Sequence, residues 1–224
     1  MKSMKLSTLS WQNLGDKDEH LITYLLYKEG KDVGLIAKIR RLNVEEVNRH
    51  LIRAKWEILS AGKEEKTLLE RMIELDKSER KDILTAMPNN EKKELAREIY
   101  KKYFEIKHSE DKMLIIWLIG ELRLKELLKL IHGDMDHPHG NVRRLACSAI
   151  GKIGDESSLD YLHKALADTK PQVRQYAAKA LGNLGSKKTI QRIQNLLYNP
   201  DERDYVRRAF EEAIVKIEKK YTTG

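Results

Sequence analysis

The chain has 224 residues, of which 41% are hydrophobic and 35% charged, with only 2 Phe and 4 Pro. That profile disfavours a sandwich or barrel and fits a charge-rich helical protein. The net charge of +8 permits nucleic-acid binding without requiring it, and the lone cysteine, Cys147, excludes an internal disulfide.

The N-terminal stretch MKSMKLSTLSWQNLG lacks the apolar core of a signal peptide. The longest strongly apolar run, Met113 to Gly120, is too short to span a bilayer. The expectation is a soluble, cytoplasmic protein with no membrane contact.

Residues 1–60 read as a three-helix module. Asp18 to Tyr27 forms a first helix bearing Leu21, Tyr24 and Leu25, and Gly30 breaks it. Asp32 caps a second helix with Leu35, Ile36 and Ile39. Arg40-Arg41-Leu42-Asn43 makes a tight turn, and Asn43 caps a third helix from Val44 to about Leu59. Ala37 stands at a small-residue crossing, Leu42 plugs the turn, and Val47, Leu51 and Ala54 face back into the core. On these residues, IAKIRRLNVEEVNRHLIRAK resembles a helix-turn-helix of the kind in region 4 of sigma factors. Arg41 departs from that pattern, because the family has glycine in the turn. A left-handed residue other than glycine costs on the order of 1 kcal/mol, which is tolerable.

The resemblance implies that the third helix enters the major groove of duplex DNA. Its readers would be Asn48, Arg49 and Arg53, with Asn43 near the start and Lys38, Arg40 and Arg41 giving the turn a positive patch. Glu45 and Glu46 repel phosphate there, or else favour the helix dipole as first-turn residues. The alternative use of such a motif is protein docking or simple packing.

Residues 61–110 read as a helical connector. Charged runs such as Glu64-Glu65-Lys66 and Lys92-Lys93-Glu94 alternate with Leu68, Leu69, Met72, Ile83, Leu84, Leu95 and Ile99, and Pro88-Asn89-Asn90 breaks the pattern.

From about residue 94 onwards the expectation is four antiparallel helix pairs, with residues 111–224 carrying the recognisable repeats. Gly120, Gly151 and Gly182 recur 31 residues apart, within LIGEL, AIGKIG and ALGNLG. Val142, Val173 and Val206 occupy one equivalent site, and Ala149, Ala180 and Ala213 lie one heptad later. This is a helical stripe in which small residues allow close helix approach. Gly154 and Gly185 then end their helices, because glycine adopts the left-handed cap conformation cheaply. Arg123 replaces that closing glycine in the first copy, and Val215 departs from the pattern in the last, which suits a terminal cap. GNVRRLACSAIGKIG and PQVRQYAAKALGNLG resemble HEAT repeats of the short, phycobilisome-lyase-like kind. The fold class expected is all-α, a HEAT-like α-solenoid behind an N-terminal helix-turn-helix.

Arg143, Arg174 and Arg207 follow the repeat valines, and Asp136, Asp168 and Asp201 precede those valines by five or six residues. An Asp–Arg ladder bracing successive turns is one reading, and a row of arginines offered to phosphate is the other. Arg144 and Arg208, replaced by Gln175 in the middle copy, are the freer phosphate-facing or partner-facing candidates. Trp117 stands where later copies have Ser148, Lys179 and Glu212, so it is either covered by helices from residues 67–108 or functional.

Two constellations hint at chemistry. His132, Asp134, Asp136, His137 and His139 crowd one loop, but at no metal-site spacing, so no metal or cofactor is assigned. Trp117 with Glu121 resembles the aromatic and carboxylate of alkylpurine DNA glycosylases, a match of two residues without the wider motif. Deoxyhypusine hydroxylases, also built of HEAT repeats, use His-Glu pairs that this chain lacks. No nucleotide loop or catalytic triad signature occurs, so no catalytic residue is assigned. The function expected is a non-enzymatic DNA-binding or regulatory adaptor, with a protein partner on the HEAT surface. A pure interaction scaffold is the alternative, and a HEAT-fold enzyme on DNA bases the remote one. Oligomeric state is left open.

Overall fold

A computed structural model describes residues 9–14, 18–61 and 66–222, which are helical with no strand among them. Residues 1–8 of the N-terminal stretch and the Glu64-Glu65 pair lie outside the described residues. The chain divides into two compact units, Met1–Glu98 and Ile99–Gly224. The boundary falls within one helix, so the stretch 61–110 is shared between the units.

The first unit holds α1 (Glu19–Lys28), α2 (Val33–Arg40), α3 (Val44–Ala61), α4 (Leu68–Glu74), α5 (Lys77–Ala86) and most of α6 (Asn89–Lys102). The Asp32 carboxylate accepts a hydrogen bond from the Leu35 amide at 2.9 Å and so starts α2. Arg41 ends it in the left-handed region, with φ 54°. The Leu42 amide then bonds back to the Ala37 carbonyl at 3.0 Å, which satisfies a carbonyl that the helix end leaves open. Leu26, Ile36, Ala37, Val47 and Leu51 form the core of α1–α3, with Tyr24, Val33 and Leu42 packed on it. Burying side chains of this size stabilises by roughly 1.5–3 kcal/mol each. Reciprocal side-chain and backbone bonds, Thr67 with Glu70 and Asp76 with Glu79, start α4 and α5. Pro88 separates α5 from α6, as its sequence break predicts.

The second unit stacks α7 (Ser109–Glu121), α8 (Leu128–Asp134), α9 (Gly140–Ile153), α10 (Leu159–Ala165), α11 (Pro171–Leu184), α12 (Lys187–Leu197) and α13 (Asp204–Thr222). The long helices α7, α9, α11 and α13 pack on one another in succession, while α8, α10 and α12 pack on the long helix that follows each. Three short–long pairs thus follow α7, and α6 before it is divided between the units after Glu98.

The glycine spacing acquires its physical cause here. A Cβ at Gly120 would lie 2.8 Å from the Cα of Ala149, and one at Gly182 would lie 3.2 Å from the Cα of Ala213. Each glycine therefore faces the alanine of the next long helix. Gly154 closes α9 with φ +76°, as expected. Gly185 does not share that role. Its backbone is extended, with φ −66° and ψ 163°. It is glycine because a Cβ would meet the Leu181 carbonyl oxygen at 2.7 Å and the Ile217 Cδ1 at 2.8 Å. Arg123, where a closing glycine is missing, takes φ 51° and is the second arginine in a left-handed cap.

Candidate nucleic-acid interface

In α3, Val47, Leu51 and Ala54 are buried, and Asn48, Arg49 and Arg53 are exposed on the other side. The Arg49 side chain is 72% exposed, with its guanidinium 3.7 Å from the Glu46 carboxylate. Lys38 and Arg41 are exposed at the turn. Six of the seven expected DNA-contacting side chains, Asn43 among them, are thus exposed on α2, the turn and α3, and Arg40 is half-buried.

Arg40 and Asn43 also have structural duties. Arg40 turns inward, where one guanidinium nitrogen donates to the Glu19 carbonyl at 2.8 Å and to the Thr23 hydroxyl at 3.1 Å. Its other terminal nitrogen pairs with the Glu19 carboxylate. Asn43 caps α3, its side-chain oxygen accepting from the Glu46 amide at 2.8 Å, while its own amide donates to the Glu46 carboxylate at 3.0 Å. Glu46 is therefore a capping residue, which leaves Glu45 as the exposed acid at the leading end of the helix.

Polar contacts fix how α3 sits against α1. The buried His20 lies 2.5 Å from the Glu57 carboxylate. His50 Nδ1 is 3.1 Å from the Thr23 hydroxyl. That hydroxyl donates to the Glu19 carbonyl at 3.1 Å, so His50 donates to it. Burial, then the nearby Arg40 and His20 charges, push the His50 pKa below its ordinary value.

The arginine ladder of the second unit exists, with altered rungs. Arg143 grips Asp168 through two bonds of 2.6 and 2.8 Å. Arg174 grips Glu202, not Asp201, through two bonds of 2.6 Å. Lys112, the equivalent of Arg143 in the first copy, lies 3.8 Å from Asp134. Asp136 pairs instead with Lys164 at 2.7 Å. Arg207 donates to the carbonyls of Asn199, Pro200 and Glu202. Burial opposes ionisation of Asp168 and Glu202, but the bonds from their arginines win and hold both carboxyls below the usual range.

The residues that hinted at chemistry are also engaged. His132 lies 2.9 Å from the Ser158 hydroxyl, and His163 lies 3.0 Å from the Thr189 hydroxyl. His132 and His163 are 31 residues apart, as are Ser158 and Thr189, so this pair is a repeat contact. His132 also stacks on Tyr161 at 3.9 Å between ring centres. Among the described residues no cluster of His, Cys, Asp and Glu is arranged to hold a metal. Glu121 bonds Lys152 at 2.7 Å, which ties up the carboxylate beside the half-buried Trp117. Cys147 is buried, and burial pushes its thiol up to about 12. Arg208 is exposed, and Arg144 lies over the Tyr176 ring at 5.0 Å. No helix among the described residues is long and apolar enough to cross a membrane.

The spacing from His132 to His163, and the part of Glu46 in the cap that Asn43 forms, were both available in the sequence and unread there. The inward turn of Arg40 had no local signal, because it depends on where α1 packs.

Residues 19–113 match the family of helix-turn-helix domains. Residues 124–215 match that of HEAT repeats. No curated protein matches the chain. Among solved structures, an engineered protein from the Northeast Structural Genomics Consortium is similar at 17% identity, over 91% of this chain and 97% of that one, with a TM-score of 0.49.

Proposed function

We propose that this chain, a helix-turn-helix domain followed by HEAT repeats, is a non-enzymatic adaptor that contacts duplex DNA through α3 and a protein partner through its repeats. The observation that carries the DNA half is the exposed side of α3, with Asn48, Arg49 and Arg53 opposite the buried Val47, Leu51 and Ala54. Asparagine and arginine on the exposed side of a second motif helix suit base edges and phosphates. A non-enzymatic role is supported by the structural use of Cys147, Glu121, His132 and His163, the side chains otherwise suited to chemistry. The same reading takes the chain to act in the cytoplasm.

Duplex binding measured against salt tests it. Arg49→Glu with Arg53→Glu should abolish the binding and flatten its salt dependence, which falls by about 0.9 per lost phosphate contact. Unchanged binding in the double variant would remove α3 as the reader.

One observation favours the second reading, a protein-interaction scaffold throughout. Leu35, Ile39 and Val44, on α2 and the start of α3, are 45%, 49% and 50% exposed. An apolar group of this kind suits docking to a protein. That reading predicts no duplex binding at moderate salt, and loss of a recovered partner on Leu35→Lys with Ile39→Lys.

A further inference from the structure

The two central long helices, α9 and α11, contain no aspartate or glutamate. The flanking ones do: α7 carries Glu110, Asp111 and Glu121, and α13 carries Asp204, Glu211, Glu212 and Glu218. Arg143 and Arg174 are spent on the ladder, and Lys152 of α9 is paired with Glu121 of α7. Arg144 and Lys179 remain, and both address one ring. The Arg144 guanidinium lies 5.0 Å and the Lys179 ammonium 5.5 Å from the centre of Tyr176. On the same two helices Asn141 and Gln172 are exposed, and Gln175 is half-buried.

This surface has few charges, many amides and no acid. Duplex DNA presents one phosphate per about 1.7 Å of axis, which demands denser cations than Arg144 and Lys179 provide. An extended polypeptide makes a different demand. Its backbone offers carbonyls and amides, and each Asn or Gln side chain carries both a donor and an acceptor to meet them. Isolated carboxylates on such a segment need only isolated cations. Neighbouring packed helices lie about 8–10 Å apart and a strand advances about 3.3 Å per residue, so about three residues lead from one helix to the next.

We infer that the α9–α11 surface binds an extended acidic segment of a partner polypeptide. Arg144 and Lys179 take carboxylates about three residues apart, Tyr176 packs a side chain between them, and Asn141, Gln172 and Gln175 bond the segment's backbone. The inference rests on the reading of the repeats as the partner-binding part.

A displayed library of random dodecapeptides panned on the full chain tests the surface. The selected peptides should be enriched in Asp and Glu. Their affinity should fall about tenfold or more for Arg144→Glu with Lys179→Glu, in keeping with the loss of two charge pairs. Duplex DNA binding should be unchanged in that variant, and its melting temperature should confirm that it folds. Selected peptides that are neutral or basic, or acidic ones held equally well by the variant, would leave a peptide-binding solenoid but overturn this occupant. No enrichment at all would overturn both this occupant and the partner-binding reading. A labelled dT12 strand that binds the chain and is lost in the same variant would assign the surface to nucleic acid instead, and so overturn it.

Discussion

Gly151 of α9 lies so close to Ala180 of α11 that a Cβ at position 151 would sit 2.9 Å from the Cβ of Ala180. The contact closes one long helix onto the next, and the substitution Gly151→Val should break it. Forcing atoms into a packed contact costs about 1–3 kcal/mol. Gly133, in α8, faces open space and serves as the comparison. Gly133→Ala should raise stability by roughly 0.5–1 kcal/mol, since alanine orders a helix at lower entropic cost. Urea denaturation of both variants reads the two opposite signs.

Removing one partner of a ladder rung should be severe. The Glu202 side chain is 4% exposed, so Arg174→Ala strands a buried carboxylate. Breaking a buried pair from one side costs about 3–5 kcal/mol. Replacing both, Arg174→Met with Glu202→Leu, should recover most of that loss. Chemical denaturation of the single and double variants measures the difference as a coupling energy.

Arg41 and Arg123 stand in left-handed conformations, with φ 54° and 51°. Glycine holds that conformation without strain, so Arg41→Gly and Arg123→Gly should each stabilise by about 1 kcal/mol. Arg41→Gly should at the same time weaken duplex binding by removing one exposed cation from the turn. Opposite shifts in melting temperature and DNA affinity would mark a residue retained for binding at the expense of stability.

Burial first, then neighbouring charges, hold His50 below its ordinary pKa of 6.5, and burial does the same for His132 and His163. Below 6.5 the unfolded chain takes up protons more readily than the folded one. Stability is therefore full above that value and falls as pH drops through the folded pKa values. Asp168 and Glu202 are lowered from 3.8 and 4.5, so their stabilisation is present above those values and lost below them. Denaturation curves against pH should show two declining steps. Replacing His132 and His163 with asparagine should shrink the upper one to the share of His50 and leave the lower in place.

With its pKa pushed up to about 12 inside the fold, Cys147 should be inert to thiol reagents in the native protein. Labelling should proceed only as the chain unfolds. Its rate in mild denaturant would then report opening of the α9 environment.

The glycine spacing gave away the stack because close helix contact tolerates only small residues, and a requirement that strict leaves a mark at every copy. Arg41 was readable for a similar reason, since the turn geometry admits few conformations. The ladder was legible only in outline. Its acids were assigned by type and offset, whereas a guanidinium reaches whichever carboxylate the next turn presents. That is Asp168 for Arg143 and Glu202 for Arg174. Lys112 escaped notice because it differs in kind from its equivalents, although its register equals theirs. Gly185 was misread because a helix-end glycine suggests its own backbone as the cause, and here the cause is Ile217 across the layer. On α3 the inward and outward faces and the Asn43 cap followed from periodicity and residue type, but Arg40 was assigned to DNA before its partners in α1 were visible.

The glycine, the arginine of the rung and the histidine of the hydroxyl pair each recur 31 residues on, and each links its copy to the next. A segment of that length can therefore be duplicated or excised by recombination with little left unmatched: the glycine meets the next alanine, and Arg143 meets Glu202 in place of Asp168. The unit is thus built to change length in whole steps. A shortened chain lacking one copy should fold, whereas a deletion of half a copy should not.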